Sequence, residues 1–301
     1  MNAERSADLS PDLSARVLHD VPMAKHTSWH VGGPADLFFV PRDVMDLASF
    51  MRQLPPDMPL LWIGLGSNLL VRDAGIRGAV ISTHGALNTL ERLSATRIHA
   101  EAGVPCARIA RQCIKWGLGP AEFFAGIPGT LGGALAMNAG AWGGETWRHV
   151  VEVDVLDRRG VRLTRTAAEY DVGYRTVKGP ENEWFIGARL EFERRPGIST
   201  EAIRQLLDKR RETQPIGEWS CGSVFTNPPG DHAARLIETA GLKGYRIGDA
   251  SVSLKHANFI INHGAACAAD VEALIAHVRR AVAEVHGIVL ATEVRIVGVA
   301  A

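Results

Sequence analysis

A glycine-rich stretch is the first feature of the sequence that suggests chemistry. The segment GIPGTLGGALAMNAGAWGGE, Gly126 to Glu145, contains seven glycines in twenty residues. Glycine destabilises regular structure by roughly 0.5–1 kcal/mol relative to alanine, so this density indicates backbone that approaches another group closely. Unpaired amides at a helix start bind phosphate, and Leu131 to Met137 are compatible with a helix. A mobile surface loop is the alternative, but linkers are polar, whereas this stretch includes Ile127 and Trp142.

A second glycine turn, GLGSNLLV, occupies Gly64 to Val71. It begins like the dinucleotide fingerprint G-x-G-x-x-G, but Leu69 replaces the third glycine, which disfavours a Rossmann site. The sequence contains no G-x-x-x-x-G-K-[ST] motif, which excludes a P-loop. Gly66, Ser67 and Asn68 can form an anion nest, with a plain tight turn as the alternative. Two such turns suit a diphosphate, so the sequence predicts a dinucleotide cofactor.

The elements that position these turns alternate between strand and helix. Apolar residues predict strands at Leu37–Val40 and Leu60–Ile63, and helical spacing predicts a helix over Asp43–Leu54. A second helix is predicted over Cys106–Trp116, with a proline before it and a glycine after it.

Residues 97–102 and 150–165 follow a different pattern. Val151, Val153 and Val155 alternate with polar residues, and Arg158-Arg159-Gly160 is placed as a hairpin turn. This alternation predicts antiparallel sheet with one solvent-exposed face.

The remainder of the chain predicts a separate α+β domain. Residues 1–20 look like a loose leader, and a charged turn at Arg194–Gly197 marks a boundary. After it come a helix at about 200–212, a glycine-rich loop through 217–230, a short helix and a long helix at about 270–286. One stripe of the long helix is apolar and ends at Gly287. The stripe consists of Val271, Leu274, Ile275, Val278, Val282 and Val285.

Composition narrows the class of protein. Lys plus Arg and Asp plus Glu number 33 each, so no net charge attracts nucleic acid or an anionic membrane. No apolar run reaches the ~20 residues of a membrane span, and the N-terminus has no signal-peptide core, so we expect a cytoplasmic protein. The four cysteines show no C-x-x-C pair and no His at metal-ligand spacing. We therefore expect no metal site and interpret Cys106, Cys113, Cys221 and Cys267 as buried small residues.

Seven segments together resemble one enzyme family. They are HTSWHVGGPAD at 26–36, GLGSNLLV, GIPGTLGGALAMNAGAWG, DVGYR, CGSVFTNP, KHANFIIN and EVRIVG. In this order they resemble the UDP-N-acetylenolpyruvoylglucosamine reductases, flavoenzymes of peptidoglycan precursor synthesis. The resemblance implies an α+β protein with a two-part FAD-binding domain of the vanillyl-alcohol-oxidase type over 21–195, divided into about 21–84 and 85–195. A substrate-binding domain would cover 196–301.

The resemblance also implies the cofactors and the residues that bind them. FAD would be held non-covalently, NADPH would donate hydride, and the protein would act as a monomer on UDP-N-acetylglucosamine enolpyruvate. The residues expected to bind FAD are Gly64, Gly66, Ser67, Asn68, Leu69, Gly126, Ile127, Pro128, Gly129, Thr130, Gly132, Gly133, Asn138, Gly140, Arg210 and Arg295.

Three residues match the family's catalytic positions. Arg175 in DVGYR matches the arginine, whose guanidinium can bind a carboxylate through two parallel hydrogen bonds. Glu293, on the last predicted strand, matches the glutamate, and Ser223 matches the proton donor to the substrate carbanion. From the residues alone, a surface arginine, a solvated glutamate and a turn hydroxyl are the alternatives.

Substrate contacts follow from the same resemblance. Asn227 looks like a residue that contacts the substrate diphosphate, and Tyr174 either packs on the substrate or supports Arg175. The family often has Lys where this chain has Thr226. The interval from Arg175 to Ser223 leaves no room for an inserted tyrosine loop, which indicates the shorter subtype.

Some alternatives stay open at the level of sequence. The roles of His256 and Asn258 in KHANFIIN are not assigned, and a core histidine is one interpretation of His256. An oxidase on the same flavin fold and a catalytically inactive nucleotide-binding module are the alternative functions. The presence of all three catalytic residues favours the reductase.

Overall fold

The structure, a computed structural model, describes residues 9–300 and divides into two compact units. The first unit comprises the described residues through His19, Leu37–Gly64 and Gly78–Leu207. The second comprises Asp20–Asp36, Leu65–Arg77 and the described residues from Asp208 onward. Of the expected leader, residues 1–8 lie outside the described residues, and most of the rest forms a helical turn and a strand.

The helices begin and end at the residues that local chemistry favours. The Asp43 side chain accepts a hydrogen bond from the Asp46 N–H at 2.8 Å and caps its helix. Gly287 adopts φ +68°, the left-handed conformation that ends a helix with little strain in glycine. The helices are α1 (Pro11–Ser14), α2 (Val44–Gln53), α3 (Cys106–Lys115), α4 (Leu131–Ala136), α5 (Thr200–Thr213), α6 (Ala233–Thr239) and α7 (Ala268–His286).

The strands are short and form both parallel and antiparallel sheets. They are β1 (Leu18–Pro22), β2 (Pro34–Phe39), β3 (Leu60–Ile63), β4 (Leu69–Val71), β5 (Ile76–Ser82), β6 (Leu90–Arg92), β7 (Arg97–Glu101), β8 (Leu118–Gly119), β9 (Gly140–Ala141), β10 (Gly144–Glu145), β11 (Val150–Asp157), β12 (Arg162–Thr166), β13 (Asp171–Gly173), β14 (Thr176–Lys178), β15 (Glu183–Glu191), β16 (Glu193–Arg194), β17 (Arg246–Ile247), β18 (Ala250–Val252), β19 (Ile260–Asn262) and β20 (Arg295–Val297).

Two larger sheets contain residues of the first unit. One has the order β1-β2-β5-β3, and within it Leu60–Ile63 pair in parallel with Ala79–Ser82. The other is antiparallel with the order β12-β11-β15-β7-β6, and the predicted hairpin turns at Gly160. The expected alternation fails at β11, because Asp154 is buried and bonded to Thr164 Oγ1 at 2.7 Å and Arg162 at 2.8 Å. Polar partners on β12 make this burial possible.

In the second unit, β4 and β20 pair in parallel and β17, β18 and β19 form an antiparallel sheet. The core of this unit contains Trp29, Leu70 and Phe225 together with one face of α7. The predicted stripe of α7 is buried except at Val285, which is 59% exposed. The prediction for Val285 is therefore wrong: this residue continues the apolar spacing, but its side chain faces solvent.

Three of the four cysteines are buried as predicted, whereas Cys267 is exposed at the position that precedes α7. Within residues 9–300, no helix combines the length and the apolar character that a bilayer crossing demands. The same residues contain no group of three or more His, Cys, Asp or Glu that could hold a metal ion.

Candidate functional site

The two glycine turns meet in the first unit, where Gly64 lies against Thr130. A Cβ added to Gly64 would lie 2.2 Å from Thr130 Oγ1 and 3.2 Å from Thr130 Cβ. Ordinary contacts begin at about 3.4 Å, so a side chain here would force the two turns apart. The sequence therefore uses glycine directly after β3 to bring this backbone against the second turn.

The Thr130 side chain is a buried polar group that lacks a partner. Thr130 is 1% exposed, and within the described part of the chain its Oγ1 makes no hydrogen bond. It lies at the position that precedes α4, yet its side chain forms no capping bond. A buried unsatisfied hydroxyl costs about 1–3 kcal/mol, and an anion at this turn would satisfy it. The residues present here fit the diphosphate of FAD.

The amides at the start of α4 differ in what they contact. The Leu131 N–H donates to Val104 O at 2.9 Å and the Gly132 N–H donates to Ala102 O at 2.8 Å. The expectation of bare converging amides is therefore wrong for these two residues, because the backbone near β7 already satisfies them. A Cβ on Gly132 would lie 3.0 Å from Ala102 Cβ, whereas one on Gly133 would meet no atom within 4 Å. Gly132 packs on the protein and Gly133 faces open space.

The other predicted residues of this stretch support its shape. A Cβ on Gly126 would lie 2.6 Å from Ala141 Cβ, and one on Gly140 would lie 2.2 Å from Gly144 O. Ile127 is buried, Pro128 is exposed, and the Gly129 carbonyl accepts the Cys106 N–H at 2.9 Å.

The first glycine turn continues into the second unit. Gly66 has φ +60°, and a Cβ there would lie 2.0 Å from His26 O. Ser67 and Asn68 are half-buried, and Leu69 is buried at the start of β4. The backbone at Gly66 therefore has no room for a side chain.

Arg175 lies at the tip of the β13–β14 hairpin in the first unit. Its backbone has φ +56°, a left-handed conformation that the tight turn of the hairpin requires and that is uncommon for a residue other than glycine. Its two terminal nitrogens donate to Asn138 O at 3.3 Å and Gly140 O at 3.0 Å. The guanidinium carbon lies 5.2 Å from the centre of the Tyr174 ring, which is itself exposed. The guanidinium is thus held in a defined orientation.

The Asn138 side chain bonds to the backbone of this hairpin. It is 2% exposed, donates to Gly173 O at 3.0 Å, and accepts the Trp147 N–H at 3.1 Å. Its side chain therefore fastens the turn that carries Arg175, a role that the sequence did not suggest. A cavity of about 450 Å³ lies beside the hairpin and is lined by residues that include Asn138, Trp147, Tyr170 and Tyr174.

Ser223 and Glu293 are brought together within the second unit. The Glu293 N–H donates to Val224 O at 2.8 Å, and Phe225 pairs with Thr292 in an antiparallel bridge. Both Ser223 and Glu293 are half-buried. Glu293 lies two residues before β20 rather than on a strand, which corrects the prediction. Glu293 precedes a bend at Val294, next to the segment that contains Ser223 and Val224.

Three residues near Ser223 and Glu293, namely Asn68, Arg295 and Cys221, were singled out from the sequence. The Asn68 side chain donates to Glu293 O at 3.0 Å, and the Arg295 N–H donates to Asn68 O at 3.1 Å. Arg295 itself is exposed at the start of β20. Cys221 is buried, its Sγ lies 3.5 Å from Leu69 O, and burial raises the pKa of its thiol, which agrees with the interpretation of a packing residue.

Two further predicted residues lie on or beside helices of the chain. The Asn227 side chain accepts the Ala233 N–H at 3.0 Å at the start of α6. Arg210, in the last turn of α5, donates to Gln214 Oε1 at 2.8 Å, and burial lowers the pKa of its guanidinium.

Asn258 is the residue whose importance the sequence did not reveal. It is buried, and its side chain accepts the Phe225 N–H at 2.9 Å and donates to Phe225 O at 2.8 Å. The available signal was a polar residue within the apolar run Ala257–Ile261. His256 is half-buried against Phe259 at 4.8 Å between ring centres, and burial lowers its pKa.

Comparison with known proteins places this site in a family. Residues 35–165 match the profile described as an FAD binding domain, and residues 214–297 match the C-terminal domain of UDP-N-acetylenolpyruvoylglucosamine reductase. The UDP-N-acetylenolpyruvoylglucosamine reductase of Alkalilimnicola ehrlichii is 59% identical over 281 residues, which span 93% of this chain and 94% of the relative. This chain belongs to the UDP-N-acetylenolpyruvoylglucosamine reductase family.

Further members of the family agree with this assignment. The reductase of Methylococcus capsulatus is 56% identical over 298 residues, covering 99% of this chain and 97% of the relative. The crystal structure of UDP-N-acetylenolpyruvylglucosamine reductase from Thermus caldophilus matches with a TM-score of 0.78 at 32% identity, covering 93% of this chain and 98% of that one. The protein is therefore a flavin-dependent oxidoreductase with FAD as cofactor, and its α+β fold consists of an FAD-binding domain followed by the family's C-terminal domain. The predicted enzyme class, the FAD cofactor and the fold class are thus confirmed.

Proposed function

We propose that the protein reduces UDP-N-acetylglucosamine enolpyruvate to UDP-N-acetylmuramate, with NADPH as the hydride donor, in peptidoglycan precursor synthesis. The names and the extent of similarity of its relatives support the substrate. The structural observation that supports the proposal is the 2.8 Å bond from the Glu293 N–H to Val224 O, which joins the segment of the predicted proton donor to that of the predicted glutamate.

The first unit supplies residues that suit the cofactor. Thr130 Oγ1 has no hydrogen-bond partner among the described residues and suits a phosphate oxygen, and Gly133, three residues further along the chain, faces open space. When bound, FAD supplies hydride transfer between NADPH and the enolpyruvyl double bond.

The protein's own residues handle the charge and the proton. Addition of hydride to the β-carbon leaves an electron pair on the α-carbon, which is conjugated with the carboxylate. Arg175 binds this carboxylate, and the carbonyls of Asn138 and Gly140 hold its guanidinium in one orientation. The Ser223 hydroxyl donates its proton to the α-carbon, which completes the saturated lactyl group. Glu293 lies on the segment that bonds to Val224, next to Ser223, and its carboxyl group helps to stabilise the charge of the enol intermediate.

The test separates the two halves of the reaction by stopped-flow absorbance of the flavin. Ser223→Ala should leave flavin reduction by NADPH within about twofold of wild type. It should slow reoxidation by the enolpyruvyl sugar under anaerobic conditions by at least the ~10²–10⁴-fold that a positioned proton donor contributes. Ser220→Ala, in the same loop, is the matched control and should leave both halves unchanged.

Two outcomes would contradict the proposal. Equal slowing of both halves by Ser223→Ala would show that the serine shapes the binding site rather than donating a proton. Rapid reoxidation of the reduced wild-type protein by oxygen, with none by the enolpyruvyl sugar, would favour an oxidase.

A further inference from the structure

The backbone that follows Ser223 is bonded on both sides. The Val224 N–H donates to Asn258 O at 2.9 Å, and Val224 O accepts the N–H groups of Glu293 at 2.8 Å and Val294 at 3.3 Å. One residue further, Phe225 bonds to the Asn258 side chain and pairs with Thr292. The serine segment therefore has two neighbours: Asn258 on one side and the Glu293 loop on the other.

The Asn258 side chain acts as a strand partner for Phe225. Its carboxamide presents one acceptor and one donor to the N–H and C=O of the same residue, at 2.9 Å and 2.8 Å. A carboxamide can fill both roles, whereas a carboxylate lacks the donor and an aliphatic side chain lacks both groups. Asn258 is 3% exposed and Phe225 is 1% exposed, so water does not replace these bonds.

We propose that Asn258 is a positioning residue for proton transfer, which acts by fixing the Ser223 hydroxyl relative to Glu293. The inference rests on the proposed function of Ser223. The backbone N–H of Val224 is held by the Asn258 backbone carbonyl, and its C=O is held by the Glu293 N–H. The Asn258 side chain fixes the next residue, Phe225, and thereby keeps this pairing in register, so the neighbouring Ser223 Cα has little freedom to move. A displacement of about 1 Å at a catalytic group lowers a rate by up to ~10²-fold. Loss of the bonds between the Asn258 side chain and Phe225 should have an effect of this kind on proton transfer.

Asn262 provides a matched control in the same unit. It is also a buried asparagine, and its side chain donates to Trp29 O at 2.7 Å and accepts the Gly264 N–H at 2.8 Å. Its side chain thus clamps backbone elsewhere. Asn262→Asp should cost stability as Asn258→Asp does, without a selective effect on proton transfer.

The experiment is a double-mutant cycle on the two flavin half-reactions, with thermal unfolding and FAD content measured for each variant. Asn258→Asp should leave flavin reduction by NADPH within about threefold and slow reoxidation by the enolpyruvyl sugar at least tenfold. In the Ser223→Ala background, Asn258→Asp should slow reoxidation by less than about threefold, since the group that it positions is already gone. If Asn258→Asp does not accumulate as folded protein, Asn258→Ser enters the same cycle.

The result that overturns the inference is an equal effect of the Asn258 substitution with and without Ser223, or equal slowing of both half-reactions. A selective effect of Asn262→Asp on reoxidation would overturn it as well. Failure of the proposed function is a separate observation, because it appears in Ser223→Ala alone as unchanged reoxidation.

Discussion

Replacing Thr130 by valine should stabilise the protein without cofactor and weaken FAD binding at the same time. Valine keeps the branched shape of threonine and exchanges Oγ1 for a methyl group. Within residues 9–300 this oxygen has no partner, and the residue is 1% exposed. Removal of a buried unpaired hydroxyl should therefore raise the free energy of unfolding of the apoprotein by about 1 kcal/mol. For a unit of this size, that corresponds to an increase in Tm of about 2–4 °C.

The effect on the cofactor has the opposite sign. A hydrogen bond from a hydroxyl to a charged phosphate contributes about 1.5–3 kcal/mol. Because about 1.4 kcal/mol is a factor of ten, Thr130→Val should raise the Kd for FAD roughly 10- to 150-fold. Thr130→Ser keeps the hydroxyl and should retain most of the affinity, although it leaves a small cavity where the methyl group lay.

The two quantities are measured on apoprotein prepared by removing the flavin. Calorimetry without FAD gives the change in Tm, and quenching of flavin fluorescence during titration gives the Kd. An apoprotein destabilised by Thr130→Val would show that the hydroxyl has an internal partner. An unchanged Kd would show that the hydroxyl does not contact the cofactor, and the reasoning from the unpaired oxygen would then be refuted.

Three further predictions test other parts of the structure. Gly64→Ala should weaken FAD binding by about 1–3 kcal/mol in the same titration, because its Cβ would lie 2.2 Å from Thr130 Oγ1. An unchanged affinity for FAD would contradict the contact between the two turns. Burial lowers the pKa of His149 below 6.5, so protonation favours the unfolded chain, and stability should fall as the pH drops from 6.5 toward the folded pKa. Urea unfolding at pH 7.5 and 5.5 should show a smaller acid loss for His149→Phe than for wild type, and an equal loss would refute this assignment. Leu274→Ala, at a fully buried position of α7, should cost about 2–5 kcal/mol, whereas Val285→Ala should change the free energy of unfolding by less than about 0.5 kcal/mol; similar losses in urea unfolding would contradict the exposure of Val285.

Much of the secondary structure could be predicted from short segments. The strand Leu60–Ile63 lies where the sequence predicts it, and α2, α3 and α7 begin and end within two residues of the predicted bounds. Two local features explain this agreement: the Asp43 side chain caps the start of α2, and Gly287 adopts the left-handed conformation that ends α7. Each depends only on residues within a few positions of the helix end. The resemblance of the motifs, rather than composition, identified the flavin and the family.

The site itself depends on contacts that no local pattern contains. Contacts between segments that are distant in the chain build the site: Gly64 lies against Thr130, and the Glu293 N–H donates to Val224 O. The sequence predicted free amides at the start of α4, yet the backbone near β7 satisfies the Gly132 N–H.

The sequence alone therefore determined the elements, the glycine turns and the family to which the motifs point. The tertiary structure decided that Asn258 and Asn138 fasten the segments of Ser223 and Arg175. The physical reason is that a buried side-chain amide needs hydrogen-bond partners, and the backbone groups that bond to these two asparagines lie far away along the chain.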